Sequence, residues 1–130
     1  DSLKSQKHTC VDLGEEEFTV GRPHPMIDND LRIRRLLQEA KDSKVAVIML
    51  DVVIGYGAHP DPASELGPAV KQAKALANKA GRELIVVASV TGTEQDPQGL
   101  TRQVEALKAA GVVVCNSNAE AARLTAMIVG

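Results

Sequence analysis

Apolar residues follow two spacings along this chain, and segments of each kind alternate. Three runs are apolar at almost every position, Val45–Leu50, Leu84–Val90 and Val112–Val114. Runs without polar alternation are typical of strands covered on both faces, as in a parallel sheet between two helical layers. Thr9–Leu13 is shorter and more polar, but its pattern also favours a strand. The sequence therefore predicts four strands.

Elsewhere the apolar residues recur three and four positions apart, which predicts four helices with one buried face each. The predicted stripes are Ile33, Leu36, Leu37 and Ala40; Leu66, Val70, Ala73, Ala77 and Ala80; Leu100, Val104 and Leu107; and Leu124 with Ile128. Alternation of strands and helices indicates an α/β domain with three layers and a parallel sheet. We expect this domain at residues 8–130, after a polar tail or linker at 1–7.

Local signals mark where these helices begin and end. Asp28 is the predicted N-cap of the first helix, which is expected to reach about Lys41. The second helix is expected to begin near Glu65 and to end at Gly81. Asp96 is the predicted N-cap of the third helix, with Pro97 at the first helical position and Gly111 after its end. Ser117 and Glu120 form a capping-box pattern for the last helix.

Composition narrows the range of functions. The 130 residues carry a formal net charge of -2 and only 2% aromatic residues, so neither a basic surface for nucleic acid nor a ladder of stacking rings is expected. No run is long enough for a membrane span, and no signal-peptide segment is found at the N-terminus. Cys10 and Cys115 lack metal-ligand spacing, and we expect both to be buried, reduced thiols of a cytoplasmic protein.

Ligands of parallel α/β domains bind at the carboxyl edge of the sheet, where the strand-to-helix loops lie. Residues suited to chemistry are concentrated in three of these predicted loops, Gly14–Ile27, Asp51–Ser64 and Thr91–Asp96. The loops at the opposite edge are short and plain. This asymmetry predicts a functional site at the carboxyl edge.

His24, His59 and Asp51 are the candidate catalytic residues. Each histidine precedes a proline in a carboxyl-edge loop, and either could act as a general base. The alternative is that the prolines stiffen the loops and the imidazoles bond only to backbone. Asp51, at the predicted end of a buried strand, would orient a substrate or a histidine, or else cap its own loop. No spacing of these residues indicates a metal site.

Candidate ligand-binding residues lie in the same loops. Gly55-Tyr56-Gly57 could let backbone N–H groups approach an anion near the helix that follows. Arg22, stiffened by the proline that follows it, could clamp a carboxylate or phosphate, or it could pair with a nearby surface glutamate. In the third loop, Gly92, Thr93 and Gln98 are expected to face the site, although most of that loop is explained by the needs of a helix start.

The order of these segments resembles a known family. Val11-Asp-Leu-Gly14, Val45-Ala-Val-Ile-Met-Leu-Asp51 and Leu84-Ile-Val-Val-Ala-Ser-Val-Thr-Gly-Thr93 are similar to the carboxy-terminal, flavodoxin-like domain of the succinyl-CoA synthetase β subunit. Gly21-Arg-Pro-His-Pro-Met-Ile-Asp28 and Asp51–Ala63 resemble motifs of FdrA-type proteins, a branch of that superfamily. The resemblance covers about residues 8–129.

The resemblance implies a ligase-type module of an acyl-CoA synthetase (NDP-forming), with one wall of an active site that another domain or subunit completes. The synthetase's phosphohistidine motif, Gly-His-Ala-Gly, belongs to the partner subunit and does not occur here. A carbamoyltransferase component in the breakdown of purine nitrogen is the alternative that FdrA-type proteins suggest, and a non-catalytic assembly domain is a third.

Further expectations follow from the same resemblance. We expect no cofactor bound by this domain alone, with CoA, a nucleotide or carbamoyl phosphate used in the full assembly. Expected partners are other domains or subunits, in a homo-oligomer, and a small carboxylate or phosphate substrate. The related domain begins with an additional strand and helix, so this chain is expected to be part of a longer protein.

Overall fold

The computed structural model describes residues 5, 7–15, 21, 24 and 28–130. Within them the order of elements is α1 (Asp30–Ala40), β1 (Val47–Val53), α2 (Pro62–Lys79), β2 (Ile85–Thr91), α3 (Leu100–Ala109), β3 (Val113–Cys115) and α4 (Asn118–Val129). The three strands form one parallel sheet in the order β1-β2-β3. The predicted α/β class with a parallel sheet is confirmed.

The sheet separates two apolar clusters, which makes the fold three-layered. One face of the strands packs against α1, α2 and α3 around a core that includes Leu36, Val52, Leu66, Val86 and Leu107. The other face packs against α4, with Val87, Cys115 and Ala121 buried there. Both faces of β2 are therefore covered, which explains why its residues are apolar without alternation.

The predicted helical stripes lie in the core at most positions. Leu66, Val70, Ala73 and Ala77 of α2 are each 0% exposed. Ala80 is exposed instead, because the helix ends there and Gly81 continues the chain with a φ of 77°. Glycine adopts this left-handed conformation readily, so the predicted end of the helix at Gly81 is confirmed.

The predicted strand at Thr9–Leu13 is wrong, and the described residues contain three strands rather than four. Asp12 turns the chain: its Oδ1 accepts from the Gly14 N–H at 2.9 Å, and its carbonyl accepts from the Glu15 N–H at 3.3 Å. An aspartate that bonds to the backbone two residues ahead favours a turn over an extended ladder.

Cys10 is also exposed, contrary to the expectation that both thiols are buried, whereas Cys115 is buried as expected. Burial raises the pKa of the Cys115 thiol, with a smaller contribution from the Glu120 carboxylate. In the polar segment predicted as a tail, Ser5 donates to Glu39 of α1 at 2.5 Å. The boundary between tail and domain stays a prediction.

Two of the predicted N-caps are displaced. Asn29, rather than Asp28, is the N-cap of α1, although Asp28 Oδ1 does accept from the Asp30 N–H at 2.9 Å. The N-cap of α3 is Gly99 rather than Asp96, because Asp96 Oδ2 accepts from the Thr93 N–H at 2.6 Å and closes the preceding loop. The predicted cap of the last helix is confirmed, since Ser117 accepts from the Glu120 N–H.

At the amino edge of the sheet, Arg82 joins two connections that looked plain in the sequence. Its guanidinium donates to the carbonyls of Ala40 at 2.7 Å, Asp42 at 3.0 Å and Val45 at 3.3 Å. These bonds satisfy carbonyls at and beyond the end of α1, where a cation is favourable. Arg82 therefore fixes the scaffold opposite the loops that carry the candidate site.

Candidate functional site at the carboxyl edge

The loops that follow β1 and β2 meet at the carboxyl edge of the sheet. Val53 pairs with Thr91 at the ends of the two strands, and the Ile54 N–H then donates to the Thr91 carbonyl at 3.0 Å. Residues 54–61 lead from there to α2, and we call this segment the β1–α2 loop. Residues 92–99, the β2–α3 loop, lead to α3.

The buried side chain of Gln98 fixes the β1–α2 loop through hydrogen bonds to its backbone. Its side chain is 2% exposed, and its Oε1 accepts from the Gly55 N–H at 3.1 Å. Its Nε2 donates to the Gly55 carbonyl at 2.8 Å and to the His59 carbonyl at 2.9 Å. One buried amide thus fixes both ends of the turn around Tyr56. The use of Gln98 as a substrate ligand stays a prediction, since its amide is occupied by the loop in this structure.

Gln103, which is 0% exposed, is a second support that the sequence did not suggest. Its Oε1 accepts from the Ala63 N–H at 2.9 Å, and its Nε2 donates to Asp61 Oδ1 at 2.9 Å. Arg102 donates to the other Asp61 oxygen at 3.0 Å. The bond from Gln103, followed by the bond and charge of Arg102, lowers the pKa of Asp61 against the effect of burial. Two side chains of α3, Gln103 and Arg102, therefore anchor the start of α2 through three hydrogen bonds.

His59 is bonded through both ring nitrogens. Its Nδ1 accepts from the Asp61 N–H at 3.0 Å, so in the neutral ring the proton is on Nε2, which lies 2.6 Å from Glu65 Oε1. The Asp61 N–H and the Glu65 carboxylate together fix the ring in the loop. General-base catalysis by His59 stays a prediction, and it would require Nδ1 or Nε2 to exchange its present partner.

Gly55 and Gly57 give the β1–α2 loop its shape. Their φ values are 147° and 85°, a region that side chains with a Cβ rarely adopt. Between them Tyr56 is 85% exposed. The Tyr56 side chain therefore extends into solvent, while the backbone on either side of it is fixed by the buried amide of Gln98.

Gly92 is required for a different reason, which is close packing. A Cβ at this position would lie 2.1 Å from Ile54 Cγ1 and 2.9 Å from Asp96 Oδ2. Thr93, the next residue, is exposed, and its N–H donates to Asp96 Oδ2. Glu94 Oε1 accepts from the Thr101 N–H at 2.7 Å and also from the Thr101 hydroxyl, so it satisfies the start of α3, where Gly99 has no side chain to do so.

Asp51 lies within β1 and not in the loop, since the strand extends to Val53 rather than to the predicted Leu50. It shares a register row with Ser89 and Cys115, and the Ser89 hydroxyl donates to Asp51 Oδ1 at 3.3 Å. The Asp51 side chain is exposed, so the cost of a buried carboxylate that the sequence suggested does not arise. Arg32 of α1 is close enough to interact electrostatically with it.

The first predicted loop is described only in part. Arg22 lies outside the described residues, so the proposed clamp stays a prediction. His24 is exposed, and its carbonyl accepts from the Asp28 N–H at 3.1 Å. Its ring lies against Gly14, where a Cβ would be 2.4 Å from His24 Nε2. A shared cleft for His24 and His59 stays a prediction as well.

Sequence reasoning located the loops but missed the side chains that support them. Gln103 and Arg102 lie on α3 and Glu94 lies in the β2–α3 loop, and polar residues at these positions are unremarkable in a linear sequence. The one available signal was that Gln103 occupies a position next to the apolar stripe of its helix. Within the described residues, no group of three histidine, cysteine or acidic side chains is arranged to hold a metal ion.

A parallel α/β sheet with ordered loops at its carboxyl edge is the architecture of a ligand-binding α/β domain. Residues 2–128 match the CoA-ligase family, and the chain belongs to that family. Its fold is accordingly the flavodoxin-like domain of CoA ligases. Among the described residues, no helix is both long enough and apolar enough to cross a lipid bilayer.

A relative in the same family is the uncharacterized protein YahF of Escherichia coli (strain K12), which is 48% identical over 118 residues. Those residues are 91% of this chain and 23% of YahF. The chain thus spans about a quarter of the length of this relative.

Proposed function

We propose that this domain is the ligase-type module of an acyl-CoA synthetase-like enzyme and forms one wall of an active site that another domain or subunit completes. The observation that carries this proposal is the β1–α2 loop, which is fixed by Gln98 at its base and exposes Tyr56 at its tip. Membership of the CoA-ligase family supports it. A rigid, exposed aromatic residue beside a helix start is well suited to contact with a partner.

The charges around the start of α2 explain why a second component is needed. Helix N-termini favour anions such as a phosphate group. Here Asp61 is the N-cap and Glu65 lies in the first turn, so two carboxylates already occupy this end of α2. Arg102 pairs with Asp61 and does not leave a free cation. A phosphate or CoA thioester at the start of α2 would therefore require positive groups from the completing domain.

We further propose that the protein is of the FdrA type, because the motifs at Gly21–Asp28 and Asp51–Ala63 resemble those of that branch. On this proposal CoA, a nucleotide or carbamoyl phosphate is used by the assembly and not by this domain alone. A homo-oligomer is the expected state. Carbamoyl transfer is the alternative reaction, with His59 or His24 as base and Arg22 as substrate clamp.

The reaction is tested with the full-length protein. One arm measures thioester formation that depends on both CoA and a nucleoside triphosphate, and the other measures product formation that depends on carbamoyl phosphate. We expect activity in the first arm. Activity in the second arm alone would replace the synthetase proposal by carbamoyl transfer, and activity in neither arm would leave the assembly interpretation.

The role of the loop is tested by Tyr56→Ala in the same preparation. Met127, which is 77% exposed on α4, provides a matched control, because Met127→Ala also removes an exposed apolar side chain. We expect Tyr56→Ala to reduce turnover at least ~10-fold with an unchanged melting temperature, as for the loss of a well-packed aromatic contact at an interface. Equal turnover of the two variants would exclude the loop as a wall of the site.

A further inference from the structure

The first turn of α1 contains a buried polar atom that has no hydrogen-bond partner among the described residues. Asn29, the N-cap residue, is 2% exposed, and its Nδ2 forms no hydrogen bond. Its side chain also makes no capping bond to α1. A buried amide donor without an acceptor is destabilising. A bound molecule with an acceptor atom at this position would relieve that cost.

Arg32 is the second unsatisfied group, and it lies on the same side of the helix. Residues three positions apart are neighbours on a helix surface, so Asn29 and Arg32 are adjacent. The Arg32 guanidinium is partly buried and forms no hydrogen bond or ion pair with any described residue. By contrast, Arg34 and Arg35 on the same helix pair with Asp30 at 3.1 Å and Glu39 at 2.9 Å.

The charge of Arg32 is not balanced by the protein. Burial lowers the pKa of Arg32, and the attraction of the Asp51 carboxylate opposes this only in part. Asp51 is exposed and accepts from Ser89, so its own charge is shared and screened by water. A desolvated guanidinium gains most from an oxyanion that it can bind with two parallel N–H groups.

The position of this turn in the fold is that of a ligand site. The Ala40 end of α1 is tied by Arg82 to the amino edge of the sheet, so the Asn29 end lies toward the carboxyl edge. The positive end of the α1 dipole adds to the attraction for an anion, although the Asp28 carboxylate already accepts from the Asp30 N–H and Asp30 itself lies in the first turn. The N-cap side chain is a carboxylate in α2, Asp61, and a neutral amide in α1, Asn29.

We propose that the first turn of α1 binds a small oxyanion, the carboxylate or phosphate group of a ligand, with Arg32 and the Asn29 side-chain amide as its donors. The site lies on the same sheet edge as the β1–α2 loop but uses different residues. It goes beyond the proposed function, because it would remain if the reaction at that loop were a different one.

The proposal is tested by amide NMR titrations of this chain with sodium phosphate and, separately, with sodium acetate, at constant ionic strength. We expect saturable shifts of the Asn29 side-chain amide and of the backbone N–H groups of residues 31 and 32. The tighter of the two anions identifies the ligand group as phosphate or carboxylate. Shifts that increase linearly with either salt would overturn the site, as would shifts spread evenly over all helix starts.

Substitutions separate a specific site from general attraction. Arg32→Gln should weaken binding by at least ~10-fold, as for the loss of a charge-assisted bond. Arg34→Gln is the matched control, since Arg34 is 69% exposed and its loss changes the net charge equally. Equal effects of the two variants would refute the proposal.

Asn29→Asp is a second variant in case Arg32→Gln does not fold. Aspartate is as good an N-cap as asparagine, so the helix should remain stable while the added charge repels the anion. Unchanged affinity in this variant would contradict the role of Asn29. None of these measurements involves CoA, a nucleotide or turnover, so their failure and the failure of the proposed function can be told apart.

Discussion

Replacement of Gln98 by methionine is the sharpest test of how the β1–α2 loop is held. The two side chains have similar volumes, so Gln98→Met removes the amide without a large cavity. The Gly55 N–H and the His59 carbonyl then lose their partner, and the Gly55 carbonyl keeps only the Ala58 N–H at 3.3 Å. Among the described residues, Gln98 is the partner of both the Gly55 N–H and the His59 carbonyl.

The magnitude follows from those three bonds. A net hydrogen bond contributes about 0.5–1.5 kcal/mol, and a buried group left without a partner costs about 1–3 kcal/mol. Gly55 and His59 are only partly buried, so water can reach some of the freed groups. The buried methionine also gains some apolar burial. We therefore expect the free energy of unfolding to fall by about 1–3 kcal/mol.

Urea denaturation at equilibrium measures this change, with Gln72→Met as the control. Gln72 is exposed on α2, so its replacement should change the free energy of unfolding by less than ~0.5 kcal/mol. Hydrogen exchange at the Gly55 amide reports the loop itself, and its protection should fall in Gln98→Met. If the two variants unfold at the same urea concentration and Gly55 remains protected, Gln98 does not hold the loop.

Two further predictions use other features of the same edge. Gly92→Ala should destabilise the fold by about 1–3 kcal/mol in thermal unfolding, because its Cβ would lie 2.1 Å from a buried isoleucine atom. Gly67→Ala is its control: the nearest atom to its Cβ is at 3.6 Å, and a helical alanine should stabilise by ~0.5–1 kcal/mol. The lowered pKa of Asp61 means that its ionised form stabilises the fold above the ordinary aspartate pKa, and that this contribution is lost as the pH falls through the folded-state pKa. We expect Asp61→Asn to lower stability at pH 7 by under ~1 kcal/mol, since the group is 36% exposed. This deficit should begin to shrink below about pH 4 and vanish only when the pH lies below the lowered folded-state pKa. A deficit that persists at such low pH would contradict the reasoning.

Much of the fold was predictable because periodicity reports burial directly. The runs Val45–Leu50 and Leu84–Val90 have no polar face, and that pattern fits only a segment with apolar neighbours on both sides. Stop signals at Gly81 and Gly111 were also local, since a positive φ is a property of one residue. The N-caps were less predictable. Asp28, Asn29 and Asp96 are all good capping residues, and only the surrounding loop decides which one caps the helix.

The loops of the site were predictable, but their supports were not. Prolines, glycines and histidines mark the loop 54–61 in the sequence, and Gly55 and Gly57 do adopt the conformations that only glycine adopts readily. Gln98 is 43 residues away from Gly55, and Gln103 is 42 residues away from Asp61. A glutamine side chain bonds equally well to water, so its residue type does not predict which backbone groups it will bond in the folded chain.

The family of the domain was indicated by the motifs that resemble it. By itself, the sequence also determined the α/β class and the edge at which the candidate loops lie. Those properties depend on local periodicity and turn chemistry, which act over a few residues. The tertiary structure alone decided that Asp51 is an exposed strand residue and that His59 is bonded through both nitrogens. It also decided that, among the described residues, neither the Asn29 Nδ2 nor the Arg32 guanidinium has a hydrogen-bond partner. Each of these depends on which distant groups the folded chain brings within hydrogen-bond distance, and no spacing along the chain encodes that distance.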